Sequence, residues 1–478
     1  MSKNLLWSGL ELITPLDARL LGPMPRAVTG ISIDTRTLAP GDLFFAIRGE
    51  NNDGHLFVQA AFEKGAAAAV IEEALADDLK HLGPLYVVHD ALAAMERLGV
   101  AARKRSQAMI VAITGSVGKT GTKEALRLVL SQAGPTHASA ASYNNHWGVP
   151  LTLARMPVEA HFGIFEIGMN HSDEIRPLAS MVRPHVAVIT TVAPVHLENL
   201  GTIEAIADAK GEIFSGLEPC GIAILPRDNS QFARLDALAG QSLGGGVLTF
   251  GEHEESDARL LEFTSTPEGS VITAEIMGIR LRYRLGAPGR HLAINSLAVL
   301  LAARAVGLDV TDAARALGEF AAPVGRGQQI VLETPGGQAL LIDESYNANP
   351  VSMHAALTLL ADTPRRGVFG KKIAVLGDML ELGPDAIALH AELASFLAET
   401  DIDVVHTAGP LMRALYDALP EAKRGLYSET SAQIADALLD EVAPGDVIMI
   451  KGSNGSRMGP IVAALKQRFA TASNILVS

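Results

Sequence analysis

Cysteine is almost absent: Cys220 stands alone in a chain of 478 residues. One thiol excludes a disulfide within the chain and any metal cluster built from cysteines, so Cys220 is expected to be a small buried apolar side chain. Positive charge is also in short supply. Against 39 Lys and Arg there are 53 Asp and Glu, a net charge of −14. Non-specific binding to nucleic acid or to an anionic membrane needs a basic face and is not expected. Small anionic ligands, held by local donors, remain possible. No window reaches the ~18 consecutive apolar residues of a membrane-spanning helix. The longest apolar-rich stretch, NSLAVLLAARAVG, is broken by Arg304. The first residues, MSKNLLWSGLELITPLDARLLG, carry Glu11, Asp17 and Arg19 and lack the apolar centre and cleavage pattern of a signal peptide. A soluble cytoplasmic protein is the expectation. There is no repeat of fixed period and no low-complexity tract.

What the chain does have is apolar residues, 48% of the total. That is enough to bury sizeable cores, and at roughly 100–200 residues per domain the length suggests about three domains. Strand-like apolar runs alternate with Ala/Leu-rich helical segments, the pattern of α/β domains with mostly parallel sheets. Three blocks are expected. Residues 1–106 end in the basic RKRSQ, a plausible linker. Residues 107–322 contain four strand candidates (MIVAITG, HFGIFEIG, HVAVITTVAPVH, GIAILPRDN) and a segment, 247–286, that reads as antiparallel hairpins. Residues 323–478 follow the Pro/Gly-containing FAAPVGRGQQ and show a doubly wound pattern with strand candidates QALLIDES, KKIAVLGD, DVVHTAG and DVIMIKGS.

Chemistry concentrates at strand ends, where ligands bind in open parallel sheets. The segment IVAITGSVGKTGTKE places a strand, a glycine-rich turn and a helix start in order. Backbone N–H groups and the helix dipole favour an anion at such a turn, with Lys119 reaching outer phosphates and Thr120 facing Mg²⁺. The pattern is shorter than the usual phosphate loop, because position 113 is Ile and Gly115 is the first glycine. Glu166 closes the next apolar strand, where it could hold a nucleotide's metal or simply cap a helix. His196 follows the third strand, as a ligand or as an ordinary core residue. Arg326 could clamp a phosphate when domains close, or lie on the surface. DESYNANP is either a polar-ligand turn or plain turn chemistry. KGSNGSRMG offers Lys451 and Ser453 at an expected helix start. Lys210, in TIEAIADAKGEIFSGL, reads from its position alone as a solvated helix lysine. The residues by themselves thus reach a phosphate-loop, Mg²⁺-dependent ATP enzyme with a site between domains. A phosphate-loop nucleotide switch or binding protein is the alternative, but it would not require the third α/β block.

The segments TGSVGKTGTKE, SYNNHWGVPLTLARMP, FEIGMN, VHLENLG, DAKGEIF, HLAINSLA, DESYNANPVSM, LGDMLELG and MIKGSNG occur in one order over nearly the whole chain. In that order they resemble the Mur ligase family. The resemblance implies three domains: an N-terminal α/β domain for a uridine nucleotide, a central phosphate-loop ATPase domain, and a C-terminal dinucleotide-fold-like domain for the incoming dipeptide. It also implies a reaction. ATP phosphorylates the terminal carboxylate of UDP-N-acetylmuramoyl-tripeptide, and the amine of D-alanyl-D-alanine attacks the acyl phosphate. Another amide ligase of the same fold, adding the third peptide residue or acting on folate, is the alternative. The uridine motif SIDTRTLAPGDLFFAIRGENNDGH and the lack of a D-N-P-R stretch count against it.

Residue by residue, the resemblance implies ATP phosphate contacts from Gly115, Ser116, Val117, Gly118, Lys119, Thr120 and Gly121. It puts two Mg²⁺ ions near Thr120, Glu166, His196 and Lys210, the last as a carbamate, which turns a cation into an anionic ligand. Catalytic roles fall to Lys119, His196 and Lys210. Asn295 is implied at the nucleotide base, and Arg326, Asp343, Tyr346 and Asn347 as ATP contacts from the third domain. Ser32, Asp34 and Arg36 fall where the uridine nucleotide should bind. Asn144 and Asn145 fall on a substrate-facing loop, and Lys451 and Ser453 near the dipeptide. A monomer is expected. Three positions depart from the family pattern: Asp173 where glycine is common, Ala193-Pro194-Val195 before the histidine, and Gly459 where Glu is usual.

Overall fold

The structure is a computed structural model. It describes residues 5–49, 52–140, 142–195, 197–242, 245–266, 269–367 and 369–469. His196 lies outside the described residues. Three sheets of five, nine and six strands organise the chain. The first runs Arg19–Leu21, Leu85–Val88, Ala68–Glu72, Asp42–Phe45, Gly30–Ser32 across the sheet, parallel except for its first pair. Its strands are short and almost wholly apolar (LYVV, AAVIE, DLFF), as strands covered on both faces must be.

The second sheet is parallel through Thr136–Ala138, Phe162–Glu166, Met109–Thr114, Val186–Ile189, Ile222–Pro226 and Val247–Gly251. Val247–Gly251 also pairs in parallel with Ala258–Thr266. Antiparallel pairing then takes over through Gly269–Ile276 and Ile279–Leu285. The hairpin expectation for 247–286 therefore holds from 258 onward and fails for the first strand. VLTFG lies between two parallel neighbours and continues the doubly wound half. The helix Arg290–Ala305, nearly all apolar from Ser296 to Ala303, fills the core on one face of this sheet.

The third sheet has the order Gln328–Thr334, Gly337–Glu344, Val447–Lys451, Lys372–Gly377, Val404–Ala408, Arg424–Ser428. Four of its strands match the sequence expectation. Both edge strands were unforeseen: Gln328–Thr334, antiparallel to its neighbour, and Arg424–Ser428.

Two further expectations are corrected. RKRSQ is not a loose linker. The helix Ala91–Arg105 runs through its first three residues, and two of its arginines are anchored. Arg103, buried, donates to Val182 O and Arg183 O at 2.8 Å and pairs with Glu218. Arg105 donates to Leu6 O and stacks over the Trp7 ring. Guanidinium forks satisfy several carbonyls at once, so a basic run can weld two domains instead of separating them. Cys220 is exposed, with φ 63°, because it sits in the turn entering Ile222–Pro226 and not in a core. Among the described residues no helix is long and apolar enough to cross a membrane.

Candidate active site between the central and third domains

Parallel register brings the chemistry together. Ile113 pairs with Glu166, and Thr114 pairs with Ile189, so the phosphate loop, Glu166 and the chain leading to residue 195 leave the sheet side by side. Gly115 turns the chain with φ 150°, and Gly118 caps the helix Lys119–Ser131 with φ 87°. Neither glycine tolerates a side chain. A Cβ on Gly115 would collide with Thr190 Oγ1, and one on Gly118 with the amide of Asn295. The loop is pinned from outside. Ser116 Oγ donates to Ala193 O at 3.1 Å and accepts from Ala193 N, and Thr190 Oγ1 donates to Val117 O. Lys119 Nζ donates to Gly115 O at 2.6 Å. Its burial holds the ammonium pKa below the ordinary lysine value, with Glu166 opposing that shift and Arg326 adding to it.

Glu166 is buried, 1% exposed, with both oxygens engaged. Thr120 Oγ1 donates to one at 2.9 Å, and Asn144 Nδ2 donates to the other at 2.8 Å. A buried carboxylate beside a hydroxyl at the start of a phosphate-binding helix is an oxygen-only donor set, which suits a hard divalent cation such as Mg²⁺. Among the described residues no group of three His, Cys, Asp or Glu forms a cation site.

Lys210 corrects the reading from position alone. It is 2% exposed, on the buried face of the helix Ile203–Gly211 with Ile206, Ala207 and Ala209. Burial, with the nearby positive charge of Lys119 adding to it, holds its pKa well below the ordinary value. An isolated buried ammonium is costly, so the amine is held toward its neutral, nucleophilic form.

A cavity of about 390 Å³ opens beside the loop. From the central domain it takes Val117, Gly118, Gly121 and Asn295, with Phe250 among its apolar walls. From the third domain it takes Arg326, Glu344, Asn347 and Lys451. Arg326 reaches back to Ser142 Oγ at 3.3 Å, and its guanidinium lies 4.3 Å from the Tyr346 ring centre. Glu344 lies within the Asp343–Asn347 turn expected at ATP, but it was not singled out as Asp343 was. Successive strand residues face opposite ways. Asp343 points under the wall, accepting from Gly325 N, Ser345 N and Ser345 Oγ, while Glu344 lines the cavity. Lys451, expected near the dipeptide, pairs with Glu344 at 3.2 Å, donates to Asn347 O and lines this same cavity. The strand register sets Glu344 beside Lys451. His291, also in the wall, was not anticipated; burial lowers its pKa.

Other sequence candidates lie apart from this cavity. Asp34 accepts from the backbone and guanidinium of Arg36, and Ser32 Oγ donates to Asp34 O, a self-contained turn in the first domain. Asn145 Oδ1 accepts from Gly148 N and caps the next helix. Ser453 accepts from Leu380 N and donates to Ala348 O, facing a second, smaller cavity.

Family models match the chain in three consecutive pieces: the Mur ligase family catalytic domain over residues 27–112, the Mur ligase middle domain over 113–303, and the Mur ligase glutamate ligase domain over 325–454. The UDP-N-acetylmuramoyl-tripeptide–D-alanyl-D-alanine ligase of Escherichia coli is 34% identical over 440 residues, 91% of this chain and 93% of that enzyme.

The chain belongs to the Mur ligase family.

Solved Mur ligases agree. MurF from Acinetobacter baumannii superposes with a TM-score of 0.84 at 28% identity, covering 96% of this chain and 99% of that one. MurF ligase from Thermotoga maritima, in complex with ADP, gives a TM-score of 0.77 at 25% identity, covering 92% and 97%. Like other Mur ligases, the chain is an ATP-dependent ligase. Asp173, where the resemblance leads to an expectation of glycine, sits at φ 64°, a left-handed position that glycine adopts freely and Asp tolerates.

Proposed function

We propose that this chain joins D-alanyl-D-alanine to UDP-N-acetylmuramoyl-tripeptide at the expense of ATP, producing the UDP-muramoyl-pentapeptide precursor of peptidoglycan. The observation that carries the reading is the convergence at one domain boundary of the phosphate loop, the Thr120–Glu166 pair, buried Lys210 and the third-domain wall of Arg326, Glu344 and Lys451. Relatives of high coverage named for that reaction support it.

The steps follow from the chemistry. A carboxylate oxygen of the tripeptide attacks the γ-phosphorus, and ADP leaves with the bond electrons. The dipeptide nitrogen then attacks the acyl carbon, phosphate leaves, and the nitrogen gives up its proton. A mixed anhydride divides one difficult substitution into two easier ones. The loop amides and Lys119 oppose the charge on the transferring group. Mg²⁺ would be held by Thr120 Oγ1 and Glu166, with His196 and a carbamate of Lys210 as the further ligands the family likeness implies. Bound there, it would neutralise charge on the phosphoryl oxygens. Residues 1–106, 107–322 and 323–478 are assigned to the UDP substrate, ATP and the dipeptide respectively.

The test is phosphate release from ATP and UDP-tripeptide. Release should require D-alanyl-D-alanine, and the nucleotide product should gain the mass of one dipeptide less water. Release that is independent of the dipeptide overturns the assignment.

A further inference from the structure

One short segment of the central domain, residues 142–147, touches both of the other domains. It lies between the strand Thr136–Ala138 and the helix Gly148–Ala154. Tyr143 and Trp147, ring centres 5.4 Å apart, pack against the first domain's core. Ser142 Oγ accepts from Arg326 of the third domain at 3.3 Å. The strand end that leads toward the segment is fastened by Lys123, wholly buried on the helix Lys119–Ser131. Lys123 donates to Ser139 O at 2.8 Å and pairs with Glu124.

Asn144 stands within this segment and spends its side chain on Glu166. Its Nδ2 donates to Glu166 Oε1 at 2.8 Å. An ionised carboxylate only accepts, so the amide nitrogen and not its oxygen must face Glu166. The backbone of Asn144 is held as well. Its N–H donates to Ser142 O at 2.9 Å, and its carbonyl accepts from Gly168 N at 2.8 Å. Gly168 also makes room for the amide: a Cβ there would lie 3.0 Å from Asn144 Cγ and 3.1 Å from Nδ2 and Oδ1. The chain that presents Glu166 thus grips, two residues later, the residue that orients it. With Oε1 taken by Asn144, the carboxylate plane is fixed and Oε2 is left on the Thr120 side.

We propose that Asn144 is a positioning residue for the cation carboxylate: it holds Glu166 so that Oε2 and Thr120 Oγ1 converge on one divalent cation. The inference rests on the reading of Thr120 and Glu166 as cation ligands and deepens it. Asn144 acts through Glu166, as hydrogen-bond partners of ligating carboxylates do, and such partners govern cation affinity by about tenfold to a hundredfold. Its segment is pinned by the first and third domains, so this one amide carries their contacts to the cation site of the central domain.

Asn144→Leu and Gly168→Ala in the full chain test it. Leucine keeps the volume and removes the donor. Position 168 is not left-handed, so alanine there brings no backbone strain and acts by displacing the Asn144 amide. Mn²⁺, which takes the same oxygen ligands as Mg²⁺, reports the site by electron paramagnetic resonance without turnover. Its affinity for the enzyme–ADP complex should fall about tenfold or more in Asn144→Leu and about threefold or more in Gly168→Ala, with ADP binding in the absence of divalent cations within about twofold of wild type. Unchanged Mn²⁺ affinity in Gly168→Ala, or cation-free ADP binding that falls as far as Mn²⁺ binding in that variant, overturns the inference. So does unchanged Mn²⁺ affinity in an Asn144→Leu variant that still binds ADP. A wild-type ADP complex that binds Mn²⁺ no better than free ADP does overturns the cation reading, and this inference with it. The ligase assignment is tested separately, by dipeptide-dependent phosphate release.

Discussion

Thr120 Oγ1 lies 2.9 Å from a carboxylate oxygen of Glu166, a contact between residues 46 positions apart. Parallel pairing of Met109–Thr114, which leads through the loop into Thr120's helix, with Phe162–Glu166 produces it, because Ile113 and Glu166 share a register. On the proposed reading, these are the two groups that would hold the nucleotide's cation. Glu166→Gln keeps the shape and one acceptor but removes the charge. Turnover should fall by at least about a hundredfold, with the deficit shrinking as Mg²⁺ concentration rises. Steady-state rates across an Mg²⁺ series check this, and a deficit independent of Mg²⁺ would contradict a metal role.

Lys210→Ala should abolish ligation, by about a hundredfold or more, and added short-chain carboxylic acids should restore part of it. The carboxylic acid stands in for the carbamate's two oxygens in the space the side chain vacates. Rescue by bicarbonate instead, or full activity in the variant, would count against a carbamate.

The same lysine predicts a pH effect on stability. Its native pKa is lowered from 10.5 by burial, so below 10.5 the unfolded chain binds the proton more tightly than the native one does. The unmodified side chain therefore destabilises the fold progressively as pH drops from 10.5 toward the lowered native value. In metal-free, CO₂-depleted buffer, Lys210→Met should raise stability at pH 7 by more than about 1 kcal/mol, and the gain should vanish above pH 10.5. Thermal unfolding at pH 7 and pH 11 tests it. A variant less stable than wild type at pH 7 would refute it.

Gly118→Ala forces φ 87° on a residue with a Cβ and drives that atom into Asn295. The backbone term alone costs about 1–2 kcal/mol. The KM for ATP should rise about tenfold or more while the KM for UDP-tripeptide changes little. Nucleotide binding by calorimetry separates this from general unfolding, and unchanged ATP affinity would show that the loop adapts.

Much of this site was legible because it is local. A strand, a glycine turn and Gly-Lys-Thr lie within 15 residues, and Glu166 closes a strand whose apolar run marks its end. The likeness to Mur ligases added the order of the segments and singled out Lys210. Composition and spacing could not have done so, because a lysine after Ala207 and Ala209 looks the same whether its helix face meets water or a neighbour. Arg103 was misread for a similar reason: its carbonyl partners, Val182 and Arg183, lie about 80 residues away. The choice of Asp343 over Glu344 was a matter of phase. One residue flips the face, and the neighbouring strand's Lys451 tells which face carries the cavity wall. The edge strand Arg424–Ser428 is short and half polar, so it carries no strong alternation of its own.

Asn347 lines both the larger cavity and the smaller one that Ser453 faces, and its carbonyl is fastened by Lys451. A shift of this one turn would reshape both spaces together, so neither can be adjusted alone.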